Sequence, residues 1–208
     1  MKIIEHQTFP KPVVTFKSEE NFNKELEYIK DITHIQKGNN MQGSISTNRY
    51  LLYEVELKRL KKFFQECLNF YMENMFKSRQ KVVISQSWST LINKGERFDL
   101  HDHPNSLING CFYFNKTPHS SPLELINGRK NFLYVDTMGP TKYNQDSYYI
   151  DPEAMELVLF PNNLNHRVPP SNSDKERRSL AFNTTVIDII GDEFRMTQID
   201  IDKIKKNN

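Results

Sequence analysis

Two histidines, His101 and His103, stand two residues apart in the stretch Phe98-Asp-Leu-His-Asp-His-Pro104. In an extended strand, residues i and i+2 point to the same face. Asp99, His101 and His103 therefore share one side, and Phe98, Leu100 and Asp102 the other. Two imidazoles side by side on one strand face supply half of a metal site. A third candidate, His166, lies in Phe160-Pro-Asn-Asn-Leu-Asn-His-Arg-Val168, just beyond an apolar run that reads as a strand. Farther on, Arg177-Arg-Ser-Leu-Ala-Phe-Asn183 alternates, with Arg177, Ser179, Ala181 and Asn183 on one face and Arg178, Leu180 and Phe182 on the other. A guanidinium fork beside a hydroxyl suits a carboxylate, which arginine binds bidentately.

The elements that must position these residues come in two textures. The N-terminal third is helical behind one or two short strands at Ile3-Ile4 and Val13-Val14. Ser18 is a candidate N-cap with Glu19 and Glu20 in the first turn, and Phe22, Leu26, Ile29 and Thr33 predict a helix over 19–33. A polar loop follows at 37–43. Leu57, Leu60, Phe64, Cys67, Leu68, Tyr71 and Met75 then form the apolar stripe of a second helix that covers one face of a sheet.

After Lys81 the pattern is short strands between turn signals: 82–92, 98–103, 110–115, 123–126, 131–135, 148–150, 156–160 and 177–190, with a polar tail from Asp192. The only tryptophan, Trp88, falls on the first of these and reads as core. The expected fold is mainly β, a sandwich or jelly roll buttressed by the N-terminal helices. The expected organisation is a single domain over 1–208, with 1–80 packing on a core at 81–190 and a tail at 191–208.

Composition narrows the partners. With 28 basic and 26 acidic residues, the net charge of +2 argues against nucleic acid or an anionic membrane as the main partner. Cys67 and Cys111 match no zinc or redox spacing and read as buried thiols of a reduced, cytoplasmic protein. No stretch approaches the ~20 apolar residues of a membrane span. His6, His34 and His119 read as ordinary hydrogen-bonded or surface residues. Nothing in the chain specifies a primary substrate or an oligomeric state.

Taken in order, Ser87-Trp88, His101-x-His103-Pro104, Asn109-Gly-Cys-Phe-Tyr113, Leu159-Phe-Pro161 with His166, and Arg177-x-Ser179 with Phe182-Asn183 resemble the iron(II)/2-oxoglutarate-dependent dioxygenases. Within these the chain is similar to a small bacterial and phage group related to prolyl hydroxylases. The resemblance spans about residues 81–190 and implies a double-stranded β-helix with the site in its mouth. It implies Fe(II) on His101 and His166, with 2-oxoglutarate as small-molecule co-substrate bound through Arg177, Ser179 and Tyr113. It also implies hydroxylation of a primary substrate coupled to decarboxylation of 2-oxoglutarate to succinate.

Position 103 departs from the pattern, because most of that superfamily has an aspartate or glutamate there. Either His103 completes a three-histidine site, which the strand period favours, or the strand is irregular and Asp102 swings in. An imidazole in place of a carboxylate removes one negative charge from the metal's ligands and should weaken iron retention without abolishing it. Two other readings stand beside this one. Three histidines can hold zinc, which would leave Arg177, Ser179 and Tyr113 without a role. A cupin-like jelly roll could also bind a metal or small ligand without oxygenase activity.

Overall fold

The computed structural model describes residues 2, 4, 10–36, 38, 42–128 and 138–207. In chain order its elements are β1 (Val14–Lys17), α1 (Asn23–Lys30), β2 (His34–Gln36), β3 (Ser44–Ser46), α2 (Lys58–Met75), β4 (Val82–Ile92), β5 (Phe98–His101), β6 (Ile108–Tyr113), β7 (Leu123–Ile126), β8 (Ser147–Ile150), β9 (Glu156–Pro161), β10 (Asn165–Val168), β11 (Arg177–Val186), β12 (Ile189–Ile190), β13 (Ile199–Asp200) and α3 (Ile201–Asn207). Two antiparallel sheets carry the fold. The larger has the order β1-β9-β6-β11-β4-β3-β2, and the smaller β5-β10-β7-β8. From β4 to β11 the chain passes back and forth between them, the winding of a double-stranded β-helix.

Alternation along the central strands explains the two-sided sheet. Leu180 and Phe182 of β11, Ile108 and Phe112 of β6, and Leu157 and Leu159 of β9 all turn to one core. Helix α2 closes that core with Leu60, Phe64, Leu68 and Tyr71. The Phe64 ring lies 5.2 Å from both Phe112 and Phe182. Each such side chain, fully buried, contributes about 1.5–3 kcal/mol. Gly110 is required here, because a Cβ at that position would sit 2.1 Å from the Phe182 ring.

Several predicted elements need correction. Helix α1 starts at Asn23 rather than after Ser18, because the Ser18 hydroxyl accepts the Glu20 N–H (3.0 Å) and Asn21 Oδ1 accepts the Asn23 N–H (2.7 Å). These turns bury Phe22 against Phe112, and the chain leaves the helix at Lys30 for β2. In α2, Met75 is exposed and Met72 takes the buried place. The last long strand ends at Val186, since the Ile187 N–H reaches the Lys81 carbonyl and Asp188 accepts the Lys81 N–H. The predicted strand 131–135, Ile3 and His6 lie outside the described residues. The N-terminal residues do more than pack on the core, because β1, β2 and β3 are strands of the larger sheet. Among the described residues no helix is long and apolar enough to cross a membrane.

Candidate metal and carboxylate site

His101 ends β5 and His166 sits on β10, and the two are direct antiparallel partners. A tight turn, with the Leu164 N–H bonded to the Pro161 carbonyl, sends the chain from β9 back into β10 and brings His166 over His101. His103 follows two residues after β5. The ring centroids are 4.3 Å apart for His101 and His166, 5.2 Å for His101 and His103, and 5.0 Å for His103 and His166. One ligand nitrogen from each ring lies within 4.8 Å of the others. Asp102 is outside this group and exposed.

The hydrogen bonds set the tautomers. His101 Nδ1 lies 2.7 Å from the Asp99 carbonyl, His166 Nδ1 3.0 Å from the Leu164 carbonyl, and His103 Nδ1 2.5 Å from Asn183 Oδ1. Each partner is an oxygen that only accepts, so each Nδ1 carries the proton and the lone pair is on Nε2. Three imidazoles oriented by their second nitrogens is the arrangement that metal-binding histidines require. Burial, followed by the neighbouring His101 charge, lowers the His166 pKa to about 3, so this imidazole is neutral and able to bind a metal. The donor set fits iron(II), nickel or zinc. His34 bonds Ile32 and Ser89 instead, and His119 is exposed; neither joins the cluster.

Opposite the histidines, the larger sheet forms the floor of a cavity of about 750 Å³. Strand register arranges its residues in rungs across β6, β11 and β4: Tyr113–Ser179–Thr90, Cys111–Ala181–Trp88 and Asn109–Asn183–Gln86. Arg177 closes the first end, 3% exposed, with its guanidinium 4.7 Å from the Tyr113 ring centroid. Ser179 Oγ is 2.5 Å from Thr90 Oγ1. One terminal nitrogen of Arg177 and the Tyr113 hydroxyl are buried without a hydrogen-bond partner. Buried polar atoms left unpaired are costly, so this end is built for a ligand that accepts hydrogen bonds, as a carboxylate does. Burial pushes the Tyr113 phenol well up, so it remains a neutral donor.

The structure thus brings together all six residues singled out from the sequence, His101, His103, His166, Arg177, Ser179 and Tyr113, around one cavity. Sequence reasoning missed three others. Trp88, expected in the core, lines the cavity and stacks on His103 at 5.6 Å. Its position in the alternation of β4, in step with Gln86 and Thr90, was the available signal. Cys111 is half-buried on the cavity wall, not in the core. Asn183, read only as sharing the face of Arg177, accepts a hydrogen bond from His103 Nδ1.

Residues 86–183 match the model of a protein family described as "Putative 2OG-Fe(II) oxygenase". No curated protein sequence matches the chain. Among solved structures, one similar chain is an oxidoreductase of the 2OG-Fe(II) oxygenase family from Burkholderia pseudomallei, 9% identical, with a TM-score of 0.60 over 83% of this chain and 84% of that one. Another is HygX from Streptomyces hygroscopicus with nickel, 2-oxoglutarate and hygromycin B bound, 10% identical, TM-score 0.62, covering 85% and 83%. A third is a prolyl-4-hydroxylase from Pseudomonas putida, 12% identical, TM-score 0.56, covering 82% and 91%. At these identities the likeness is one of fold.

Proposed function

We propose that this chain, whose residues 86–183 match the 2OG-Fe(II) oxygenase family model, is an iron(II)- and 2-oxoglutarate-dependent dioxygenase that hydroxylates a primary substrate. The observation that carries this reading is the pairing of two half-sites. Three imidazoles with their lone pairs on Nε2 face a cavity whose far end holds the unpaired nitrogen of Arg177 and hydroxyl of Tyr113.

In this reading His101, His103 and His166 hold the metal, and Arg177, Ser179 and Tyr113 bind the distal carboxylate of 2-oxoglutarate. Iron(II), when bound, supplies oxygen activation coupled to decarboxylation of 2-oxoglutarate to succinate. The protein's part is binding, orientation and exclusion of water. Arg177, buried over Tyr113, gives the carboxylate a charge-assisted partner in a site where water competes little. Thr90 orients the Ser179 hydroxyl, and Asn183 holds His103 in the required tautomer. Three neutral imidazoles leave the divalent charge uncompensated, and the dianionic co-substrate supplies the missing negative charge. Metal retention should therefore depend more on 2-oxoglutarate than it would with a carboxylate ligand. We assign 81–190 as the catalytic core of a single domain, with 1–80 flanking it and 191–208 as a tail.

An anaerobic titration of Fe(II)-loaded protein with 2-oxoglutarate tests the reading. A visible iron-to-keto-acid charge-transfer band that saturates is expected, and it should vanish in His166→Ala. Iron binding with no band would return the molecule to a jelly roll that holds a metal without oxygenase chemistry.

A further inference from the structure

We propose that the cavity contains a second oxyanion subsite, centred on Arg49 and completed by Asn109 and Gln86, which selects an anionic primary substrate. Which molecule in the cavity reacts rests on the oxygenase reading above; the subsite itself stands on geometry. The Asn183 rung lies six residues along β11 from Arg177, roughly 20 Å at strand rise. In that reading the two ends of the co-substrate are taken by Arg177 and by the metal, so an anion at Arg49 is a different molecule.

That rung is polar from strand to strand. Asn109 on β6, Asn183 on β11 and Gln86 on β4 are register partners, and all line the cavity. Arg49 extends the row by one step, because its carbonyl accepts the Ser87 N–H (2.8 Å) on the free side of β4 at that level. Asn183 is committed to His103. Asn109 is not committed: its side chain is 1% exposed, and both its amide nitrogen and its amide oxygen lack a partner. Arg49 Nη1 is likewise buried without a partner. The ion-paired arginines among the described residues are Arg59, Arg97, Arg167 and Arg178, so no acidic side chain there balances Arg49. The cavity-lining Asp99 is occupied by Arg97 and Gln42.

A buried guanidinium nitrogen with no counter-charge, and a buried carboxamide with donor and acceptor both idle, are complementary to one kind of ligand. It carries an oxyanion, as carboxylate or phosphate, and an amide-like group that both donates and accepts. Trp88, the only tryptophan of the chain, lines the same cavity one rung away and stacks on His103, so it reports occupancy.

The test is a fluorescence titration of the full chain, held anaerobically with Fe(II) and 2-oxoglutarate. N-acetyl-leucine is compared with its methyl ester, and uridine 5′-monophosphate with uridine. A saturable change with one of the two anions, at least tenfold weaker for its uncharged counterpart, identifies whether the oxyanion is carboxylate or phosphate. Arg49→Gln should remove that difference. Asn109→Leu, similar in volume, should weaken both the charged and the uncharged probe while raising the melting temperature of the ligand-free protein, since it deletes unpaired buried atoms. A merely structural Asn109 would lower it. No saturable response to either anion, or an equal response in Arg49→Gln, overturns the proposal. An anion response in protein that shows no charge-transfer band would support the subsite and count against the oxygenase reading.

Discussion

Arg177 and Arg178 are adjacent and chemically identical, yet strand alternation gives them different work. Arg177 is buried over Tyr113 at the cavity end, whereas Arg178 donates to Glu176 at 2.6 Å from the opposite face. Removing Arg177 deletes a charge-assisted hydrogen bond worth about 1.5–3 kcal/mol, roughly a 10- to 150-fold weakening. Arg177→Ala should raise the 2-oxoglutarate concentration that half-saturates succinate formation by that factor, with Arg178→Ala close to wild type. The opposite order would mean that Arg178 faces the co-substrate. Alternation was readable in the sequence because it is a property of the strand alone. The choice between His103 and Asp102 was less secure, because the strand stops at His101. What keeps His103 on the metal side is a contact 80 positions away, with Asn183.

At the scale of elements, the cavity floor is supported by what lies behind it. Phe182 stacks on Phe64 and occupies the space a side chain at Gly110 would need. Gly110→Ala pushes a Cβ into that ring, and overpacking of this kind costs about 1–3 kcal/mol. A denaturant midpoint lowered accordingly is expected, with weaker 2-oxoglutarate binding because Tyr113 and the register of β6 on β11 move together; an unchanged midpoint would mean that the Phe182 ring has room to retreat. Helix α2 was evident in the sequence since its stripe repeats over five turns of helix. Helix α1 was placed too early, and β11 too long, because Ser18 and Asp188 make local and tertiary hydrogen bonds that outweigh propensity. Strands β2 and β3, three residues each, are too short to show a period.

For the whole molecule, the buried histidine couples stability to pH. His166 has its pKa lowered to about 3 in the fold, against an ordinary value near 6.5. Between those values the unfolded chain binds the proton and the folded one does not, so stability rises with pH there. Metal-free protein should keep this contribution above pH 6.5 and lose it as the pH falls toward 3, by up to ~1.4 kcal/mol per pH unit. The Glu124 carboxyl, bonded by Arg167 beside His166, is held below its usual range and adds a second loss in more acidic solution. Denaturant midpoints from pH 7.5 to 5 check this, and His166→Gln should flatten the upper part of the curve.

By itself, the amino-acid sequence determined the periodic facts: a helix with one apolar face, and strands whose alternation puts Arg177 with Ser179 and turns His101 to the same side as Asp99. These follow from backbone geometry within a few residues. Tertiary structure alone decided what meets across the cavity. His166 reaches His101 because β10 pairs with β5, sixty-five positions apart in the chain. Trp88 meets His103 instead of the core because the face of β4 that it shares with Gln86 and Thr90 is the one turned to the cavity. Arg49 and Asn109, which belong to no sequence motif together, become neighbours of one polar rung only when β6, β11 and β4 align. Pairing between distant strands depends on the sum of many weak contacts, and no local pattern encodes that sum.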